Sequence, residues 1–344
     1  MSEIGCLEKF GFSEFVNVTV FTQDQLGISM AVTGALGFIN AIFTYLTFAK
    51  GSSFEGASFI YHKTIATVEL FLMAIMLQYG IIRSVKFPGG YSMTVWVDQL
   101  WGGWMFGDSA KLFVLCMTAF VSAERVVAVW FPTKFPLVDR VPVVAITIAI
   151  SALVGCLHLI SIASVRILQL DTGAYAGDKT KFGTSASYAA VGDAIYMIKL
   201  GLAVAILIMC VVIVWGIIAR QKKATMMTTD AKQNWKKIKM ACYLQLIVSI
   251  VGLIDQAAWV AFKMVDQPYP LVGILAVHWM PYKVAMSDLW RMRRRIAFET
   301  AQVFTGELDH GGRFYYYLIF HSVFREEFLA LFQWKSGRVQ VINA

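Results

Sequence analysis

Long apolar stretches separated by short polar segments dominate the chain. Six of them are long enough for a helix rising 1.5 Å per residue to cross a hydrocarbon layer of about 30 Å. They cover residues 26–49, 65–82, a stretch that begins between 95 and 112 and ends near 130, 141–163, 189–219 and 238–262. Because lipid offers the backbone no hydrogen-bond partners, we expect each stretch to cross as a helix.

A seventh span has two candidates. Residues 270–290 are apolar but are interrupted by Pro281, Lys283 and Asp288, and residues 296–320 are more polar. The basic run at 291–295 favours the first candidate, because basic clusters stay on the cytoplasmic side. A motif described below favours the second, so both assignments stay open.

Composition points to the same class of protein. The chain has 58% hydrophobic and 15% charged residues and a mean hydropathy of +0.63. Soluble domains average roughly 25% charged residues, so this chain lacks the polar surface of a water-soluble fold. An all-α integral membrane protein is therefore the expected fold class.

Charge along the loops predicts the orientation. Basic residues are concentrated after spans one, three and five, whereas acidic residues offset them after span four. This bias predicts an extracellular amino terminus. Asn17 begins a glycosylation sequon on that terminal segment, and the plasma membrane is the expected location. The net charge of +8 arises mostly from these loops and does not indicate nucleic-acid binding.

No grouping of side chains in the sequence indicates catalysis or metal binding. The five histidines are scattered, and the five cysteines lack the spacing of metal ligands. Neither a nucleophile-elbow nor a phosphate-loop pattern is found near them. We therefore expect neither an enzyme nor a cofactor.

A carboxylate and a guanidinium stand side by side at the end of the third apolar stretch. They belong to Glu124 and Arg125, and Pro132 follows seven residues after the arginine. Charges near hydrocarbon are costly unless they neutralise each other or meet a partner at the membrane face. Residues 122–132 resemble the third-helix motif of the rhodopsin-like G-protein-coupled receptors, with Val126 where tyrosine is usual.

Two further segments near the amino end are similar to motifs of that family. Residues 37–40 resemble its first-helix motif, which ends in asparagine, here Asn40. Residues 66–70 resemble its second-helix motif, with Glu69 in place of aspartate.

The carboxy end carries a third likeness. Residues 313–320 resemble the seventh-helix motif, with Tyr317 as its tyrosine, and residues 324–328 resemble the start of a cytoplasmic amphipathic helix. One face of that helix is apolar, which suits the membrane interface, and it carries Phe324, Phe328, Leu331 and Phe332.

The resemblance implies a seven-helix receptor that acts as a switch. In its resting state Glu124 would hold Arg125 through a charge-assisted bond. Ligand binding would favour a state in which span six swings out, Arg125 reaches toward Tyr317 and a heterotrimeric G protein docks beneath. The family also implies an inward polar cluster of Asn40 and Glu69 with water or a sodium ion. A purely structural helix–helix hydrogen bond is the alternative role for Asn40.

Several positions depart from the family. Leu100 replaces a cysteine of the usual disulfide, span five lacks a proline, and Arg313 and Phe314 replace the asparagine and proline of the seventh-helix motif. The lysine that binds retinal in opsins would lie at Glu307, so retinal is not expected there.

The ligand class stays open between a peptide and a small chemosensory molecule. Candidate pocket residues lie near the outer halves of spans three, six and seven, and they are Trp104, Asp108, Gln256 and Glu307. The expected partners are that ligand, a heterotrimeric G protein and the lipid bilayer.

The expected organisation is an extracellular segment (1–25), a seven-helix domain (26–320) with an ambiguous extra apolar segment (263–295), and a cytoplasmic amphipathic helix and tail (321–344). A transporter or channel is the competing function, because intramembrane charges could form a pathway. Those charges are Glu69, Asp255, Glu307, Asp309 and Arg313. The lack of an internal repeat weighs against it. A decayed receptor is a third interpretation, which would explain the surplus segment.

Overall fold

The computed structural model describes residues 12–51, 54, 57–84, 105–169, 175–221, 235, 238, 239, 242, 243, 245–254, 256, 257 and 310–332. Its helices in chain order are α1 (Phe12–Lys50), α2 (Ala57–Ser84), α3 (Met105–Trp130), α4 (Phe135–Val138), α5 (Val141–Cys156), α6 (Ala186–Gln221), α7 (Gln245–Ile254), α8 (Arg313–Phe320) and α9 (Ser322–Phe332). A 3₁₀ helix, Leu157–Ser164, continues α5.

Five of the described helices are long and apolar enough to cross a membrane. Their spanning parts are Gly27–Lys50, Phe59–Gln78, Phe106–Trp130, Val141–Ser164 and Ala186–Arg220. Each coincides with one of the apolar stretches expected to cross. The predicted sixth span is represented by the shorter apolar helix α7. Residues 258–309, which hold one candidate for the seventh span and the first half of the other, lie outside the described part of the chain.

Helix α1 begins well before the apolar stretch that predicts it. It starts at Phe12, so the glycosylation sequon at Asn17 lies within its first turns rather than in an irregular segment. Residues 12–26 contain neither glycine nor proline, and nothing in them stops a helix from extending past the hydrocarbon layer.

Glycines allow α1 and α2 to pack with their backbones close together. A Cβ atom added to Gly34 of α1 would lie 2.6 Å from the backbone nitrogen of Leu77 in α2. Gly80 of α2 makes a similar close approach to the backbone of Ala31. Small residues at helix crossings are the usual way in which membrane helices gain packing contacts, because lipid provides no hydrophobic driving force between them.

Helix α3 lies at the centre of the bundle and contacts α2, α5 and α6. Its inward side chains, such as Leu112, Met117 and Val129, are fully buried. Large apolar side chains on the outer helices are instead exposed: Leu153 of α5 is 73% exposed and Trp215 of α6 is 66% exposed. An apolar outer surface of this kind suits contact with lipid rather than water.

A short hairpin follows the 3₁₀ helix and was not predicted. Strands β1 (Val165–Gln169) and β2 (Tyr175–Lys179) pair antiparallel, with Val165 opposite Lys179 and Gln169 opposite Tyr175. The sequence does carry a signal for it, since an apolar, β-branched run precedes Asp171-Thr172-Gly173, a turn-forming triplet. The helical fold class holds for the membrane part of the chain, and this loop is the exception. We call this end of the bundle the hairpin end.

The two helices at the carboxy end pack against α1. Phe328 of α9 lies 5.6 Å from the Phe43 ring of α1 and 5.0 Å from the Phe314 ring of α8, measured between centroids. The predicted apolar face of α9 is therefore packed against other helices at its beginning, where Phe324 is fully buried. At its end, Phe332 is 59% exposed. Helix α9 and the turn before α4 lie at the opposite end of the bundle from the hairpin, which we call the Arg125 end.

Candidate functional site

Glu124 and Arg125 form an ion pair within the last two turns of α3. The Arg125 Nη2 atom lies 3.8 Å from the Glu124 Oε1 atom. The glutamate side chain is 2% exposed and the arginine side chain is 12% exposed, so the guanidinium keeps access to the Arg125 end of the bundle. The distance of 3.8 Å is longer than a hydrogen bond, and the guanidinium is partly accessible. A binding partner could therefore compete with Glu124 for Arg125.

Tyr317 of α8 lies within a cluster of aromatic side chains. We define the aromatic cluster as Phe48, Phe54, Phe314, Tyr317 and Phe324. The Tyr317 hydroxyl is hydrogen bonded to Nδ1 of His62, a residue of α2, at 3.1 Å. The tyrosine on which the predicted switch depends is thus tied to α2 in this conformation.

His321 joins α8 to α9 and caps the second helix. The backbone N–H of Phe324 donates to His321 Nδ1 at 3.0 Å, which is the geometry of a helix N-cap. Burial, together with the nearby positive charge of Arg125, lowers the pKa of His321 from its ordinary value of 6.5. The ring is therefore neutral at pH 7, as this capping bond requires.

A layer of uncharged polar side chains joins α3 to α7, about one turn deeper than Arg125. The Gln245 carboxamide nitrogen donates to the Ser122 hydroxyl at 3.0 Å and to the Ser249 hydroxyl at 3.2 Å. It also lies 3.4 Å from the carbonyl oxygen of Thr118. This contact fastens the helix that represents span six to the helix that carries the Glu124–Arg125 pair.

Glu69 forms a buried ion pair with α8 in the middle of the bundle. The Arg313 Nε atom lies 2.7 Å from Glu69 Oε1, and His310 Nδ1 lies 3.6 Å from the same oxygen. All three side chains are 3% exposed. Asn40 reaches the same segment from α1, since its amide donates to the carbonyl of Gly311 at 3.1 Å.

The Glu69 carboxylate, near which the resemblance allowed a sodium ion, lies against a cationic side chain. That cation is the guanidinium of Arg313, which forms an ion pair with the carboxylate. Within the described residues, no group of three or more His, Cys, Asp or Glu side chains could hold a metal ion. Asn40 and Glu69 have different partners: Asn40 contacts Gly311 before α8, and Glu69 contacts Arg313 at the start of α8. Asn40 makes a structural hydrogen bond, but its partner Gly311 lies in the turn before α8 rather than in a helix.

A small cavity of about 10 Å³, with room for about one water molecule, lies between α3, α6, α7 and the start of α8. Of the four residues expected to line a ligand pocket, Gln256 lines this cavity, together with Lys111 and Arg313. Asp108 lies one turn before Lys111 on α3 and is partly buried, but it is not part of the cavity wall. Trp104 and Glu307, the other two expected pocket residues, lie outside the described part of the chain.

Comparisons with known proteins identify the fold and nothing finer. No protein-family model and no curated protein matches the sequence. Among solved structures, squid rhodopsin superimposes with a TM-score of 0.59 over 92% of this chain and 86% of its own, at 14% sequence identity. The chain has the rhodopsin fold. The fold is therefore the one that the motifs resembling those of rhodopsin-like receptors predicted.

The sequence alone does not single out three residues at these sites, His62, Gln245 and Lys111. A lysine inside a stretch as apolar as α3 is itself a signal, because intramembrane charges are rarely without a role. His62 and Gln245 have no such signal, since their partners become visible only when the helices of the rhodopsin fold are packed.

Proposed function

We propose that this protein is a G-protein-coupled receptor that passes an extracellular signal to a heterotrimeric G protein. The observation that carries the proposal is the Glu124–Arg125 pair near the end of α3, within a rhodopsin fold. In this proposal the Arg125 end of the bundle faces the cytoplasm, the hairpin end faces outward, and the protein resides in the plasma membrane.

The described conformation fits the resting state of such a switch. Three contacts would hold it: Arg125 to Glu124, Tyr317 to His62, and Gln245 to Ser122. A ligand bound at the hairpin end would activate the receptor by favouring the conformation in which α7 has left α3. Arg125 and Tyr317 would then be free to meet, and the space opened beneath them would admit the G protein.

The closing contact between α3 and α7 is neutral. No acidic residue stands at the beginning of the predicted sixth span, so a charged lock between the two helices was not expected from the sequence. Gln245 supplies a hydrogen-bonded lock instead. Bonds of this type between membrane helices contribute about 0.6 kcal/mol on average, which a ligand of modest differential affinity can overcome.

Buried charges do not favour the alternative of a transporter or channel. A charge pathway needs groups that can exchange partners with the transported ion. Glu69 and Arg313 are instead bound to each other at 2.7 Å, and both are almost fully buried. The other charges considered for a pathway, Asp255, Glu307 and Asp309, lie outside the described residues.

Nucleotide exchange on purified G proteins tests the proposal. The full-length protein is placed in lipid nanodiscs, and exchange is measured on a panel of Gα subunits with wild type and two variants. Arg125→Gln should abolish exchange without lowering surface expression, because it removes the group that docks the G protein. Arg325→Gln, which changes an exposed arginine of α9, is the matched control and should retain activity.

A third variant tests the resting contact at Tyr317. His62→Phe keeps an aromatic ring against Phe48 but removes the bond to the tyrosine hydroxyl. A net hydrogen bond of about 0.5–1.5 kcal/mol corresponds to a shift of roughly two- to ten-fold toward the active state, so exchange without ligand should rise. Full exchange by Arg125→Gln, or exchange by no protein in the set, would contradict the proposed function.

A further inference from the structure

We propose that the small cavity between α3, α6, α7 and α8 binds a single halide ion, with Lys111 as its anchor. Chloride is the halide meant, since it is the one that salt solutions supply in quantity. The site is argued from size, charge and hydrogen bonding, and it does not depend on the proposed receptor function.

The size of the cavity restricts the ligand to a single small particle. Its volume is about 10 Å³, which is room for about one water molecule. Sites for organic ligands have volumes of about 300 Å³ or more, so an organic molecule does not fit. A monatomic ion is the charged ligand that comes closest to this size, because a chloride ion is only slightly larger than water.

The charge of the wall selects an anion rather than a cation. Lys111 and Arg313 both line the cavity, and none of the described residues that line it is acidic. Glu69 lies behind the wall and pairs with Arg313 at 2.7 Å. One carboxylate therefore faces two cationic side chains, and the positive charge of Lys111 is the one left over.

Lys111 is a charged side chain within an apolar helix. It lies in the second turn of the spanning part of α3 and is partly buried. Within the residues that the structure describes, it makes no hydrogen bond and no ion pair. An ammonium group in such a place is costly unless an opposite charge accompanies it, and a halide in the cavity would supply that charge.

The cavity wall also offers a hydroxyl that can donate to an anion. The Ser249 hydroxyl accepts a hydrogen bond from Gln245 at 3.2 Å, which leaves its own proton to be donated. Its nearest acceptor is the Ser122 hydroxyl, at a long 3.4 Å, and Ser122 donates its own proton to the carbonyl of Thr118. The Ser249 proton can therefore turn to a halide without breaking a strong bond.

A halide in this cavity would join three helices. Lys111 belongs to α3, Ser249 to α7 and Arg313 to α8, and all three line the space. Ser249 also belongs to the polar layer through which Gln245 joins α7 to α3. The ion would therefore stabilise the packed arrangement of these helices. If the proposed function holds, the same ion favours the resting state, because departure of α7 dismantles its site.

Thermal unfolding of the full-length protein in nanodiscs of zwitterionic lipid tests the site without any G protein. Sodium chloride, bromide, gluconate and sulfate are compared at constant ionic strength and pH 7.4, which keeps the screening of surface charges equal. Chloride and bromide should raise the Tm in a saturable manner relative to gluconate and sulfate. A cavity that holds only water, with Lys111 neutralised by solvent, predicts the same Tm in all four salts.

Lys111→Met removes the anchoring charge and keeps a side chain of similar length. It should weaken the apparent affinity for chloride by about ten-fold or more, because it removes a charged hydrogen-bond donor. In gluconate it should be at least as stable as wild type, since no unpaired ammonium has to be accommodated. Lys181→Gln changes an exposed lysine before α6 and should keep the full response to chloride.

A second variant keeps the test decisive if Lys111→Met does not fold. Ser249→Ala removes the hydroxyl donor and should weaken the chloride response by about two- to ten-fold. Equal Tm values of wild type in chloride and gluconate would overturn the proposal. A full chloride response by folded Lys111→Met would overturn it too, as would an unchanged response by Ser249→Ala when Lys111→Met is unfolded.

Failure of the receptor function would be seen separately. If chloride stabilises the protein through Lys111 but exchange stays absent on every Gα subunit, the halide site stands and the G-protein-coupling proposal falls. If exchange depends on Arg125 but the Tm ignores halides, the halide site falls and the coupling proposal stands. If both hold, exchange without ligand, corrected for each Gα subunit alone, should be lower in chloride than in gluconate, and equal exchange would contradict the effect on the switch.

Discussion

Among single residues, Glu69 and Arg313 depend on each other most strongly. Their 2.7 Å contact joins α2 to α8 where both side chains are 3% exposed. Removing one member of a buried pair leaves an uncompensated charge, which costs about 3–5 kcal/mol in proteins. The pair also explains how an arginine can occupy the position where the rhodopsin-like motif has asparagine. The carboxylate of Glu69 on α2 neutralises its charge.

Replacing Arg313 by Gln should therefore reduce the free energy of unfolding by about 3–5 kcal/mol. The thermal midpoint in nanodiscs and the amount of protein at the cell surface both report this loss. The double variant Glu69→Gln with Arg313→Gln should recover much of it, because no charge is left unpaired. A double variant no more stable than Arg313→Gln alone would contradict the pairing.

His321 makes the junction between α8 and α9 sensitive to acid. Its pKa is lowered from 6.5 in the folded protein, chiefly by burial and also by Arg125. The unfolded chain therefore binds a proton more readily than the folded one, so stability falls as the pH drops below about 6.5 toward the lowered pKa. Protonation also removes the Nδ1 lone pair that accepts the N–H of Phe324.

The pH dependence can be isolated with one substitution. His321→Asn keeps an oxygen that can cap α9 but has no proton to gain in this range. Between pH 7.5 and 5, the Tm of wild type should fall further than that of His321→Asn, and the difference belongs to this histidine. Parallel curves for the two proteins would exclude His321 as the titrating group.

At the scale of helices, the pairing of α1 with α2 depends on backbone contact rather than on large side chains. A methyl group on Gly34 would stand 2.6 Å from Leu77 N, so Gly34→Ala must push the two helices apart. Overpacking of this kind typically costs about 1–3 kcal/mol.

Gly201 of α6 provides the matched control. A Cβ atom there has nothing within 4 Å, and alanine is the better helix former. Gly34→Ala should lower the thermal midpoint, whereas Gly201→Ala should leave it unchanged or raise it slightly. Equal effects of the two substitutions would show that the close approach of α1 to α2 is not what stabilises this pair.

Helices were the part of the structure most readily predicted from sequence. Apolar length is a local property, so the spanning stretches could be located without knowing how the helices pack. The Glu124–Arg125 pair could also be predicted from the sequence, because its members are adjacent in the chain and their motif has a fixed spacing. Both features need information from only one helix.

Contacts between distant helices could not be predicted in the same way. Arg313 appeared only as a departure from a motif, and nothing in the sequence links it to Glu69. The bond between His62 and Tyr317 joins residues 255 positions apart, and the bond between Gln245 and Ser122 joins residues 123 positions apart. Such pairs depend on helix rotation and depth, which single-chain periodicity does not specify. The hairpin at 165–179 was not predicted, because its two strands are short and lie between much longer apolar stretches.

For the whole molecule, the proposed receptor function requires that Arg125, the turn before α4 and the tail face one side of the membrane. The hairpin end must face the other side, since an odd number of crossings separates the tail from the amino terminus in the rhodopsin fold. Orientation is the requirement on which coupling, ligand access and the switch all depend. It can be measured before any ligand or G protein is identified.

Single reporter cysteines measure this orientation directly. Lys134→Cys and Thr184→Cys place thiols at exposed turns of opposite ends of the bundle, in a background with Cys6 and Cys156 replaced by alanine. In intact cells, a membrane-impermeant maleimide should label Thr184→Cys but not Lys134→Cys. After permeabilisation it should label both, and an antibody should then reach an epitope fused after Ala344. Labelling of Lys134→Cys or detection of the tail in intact cells would contradict the proposed receptor.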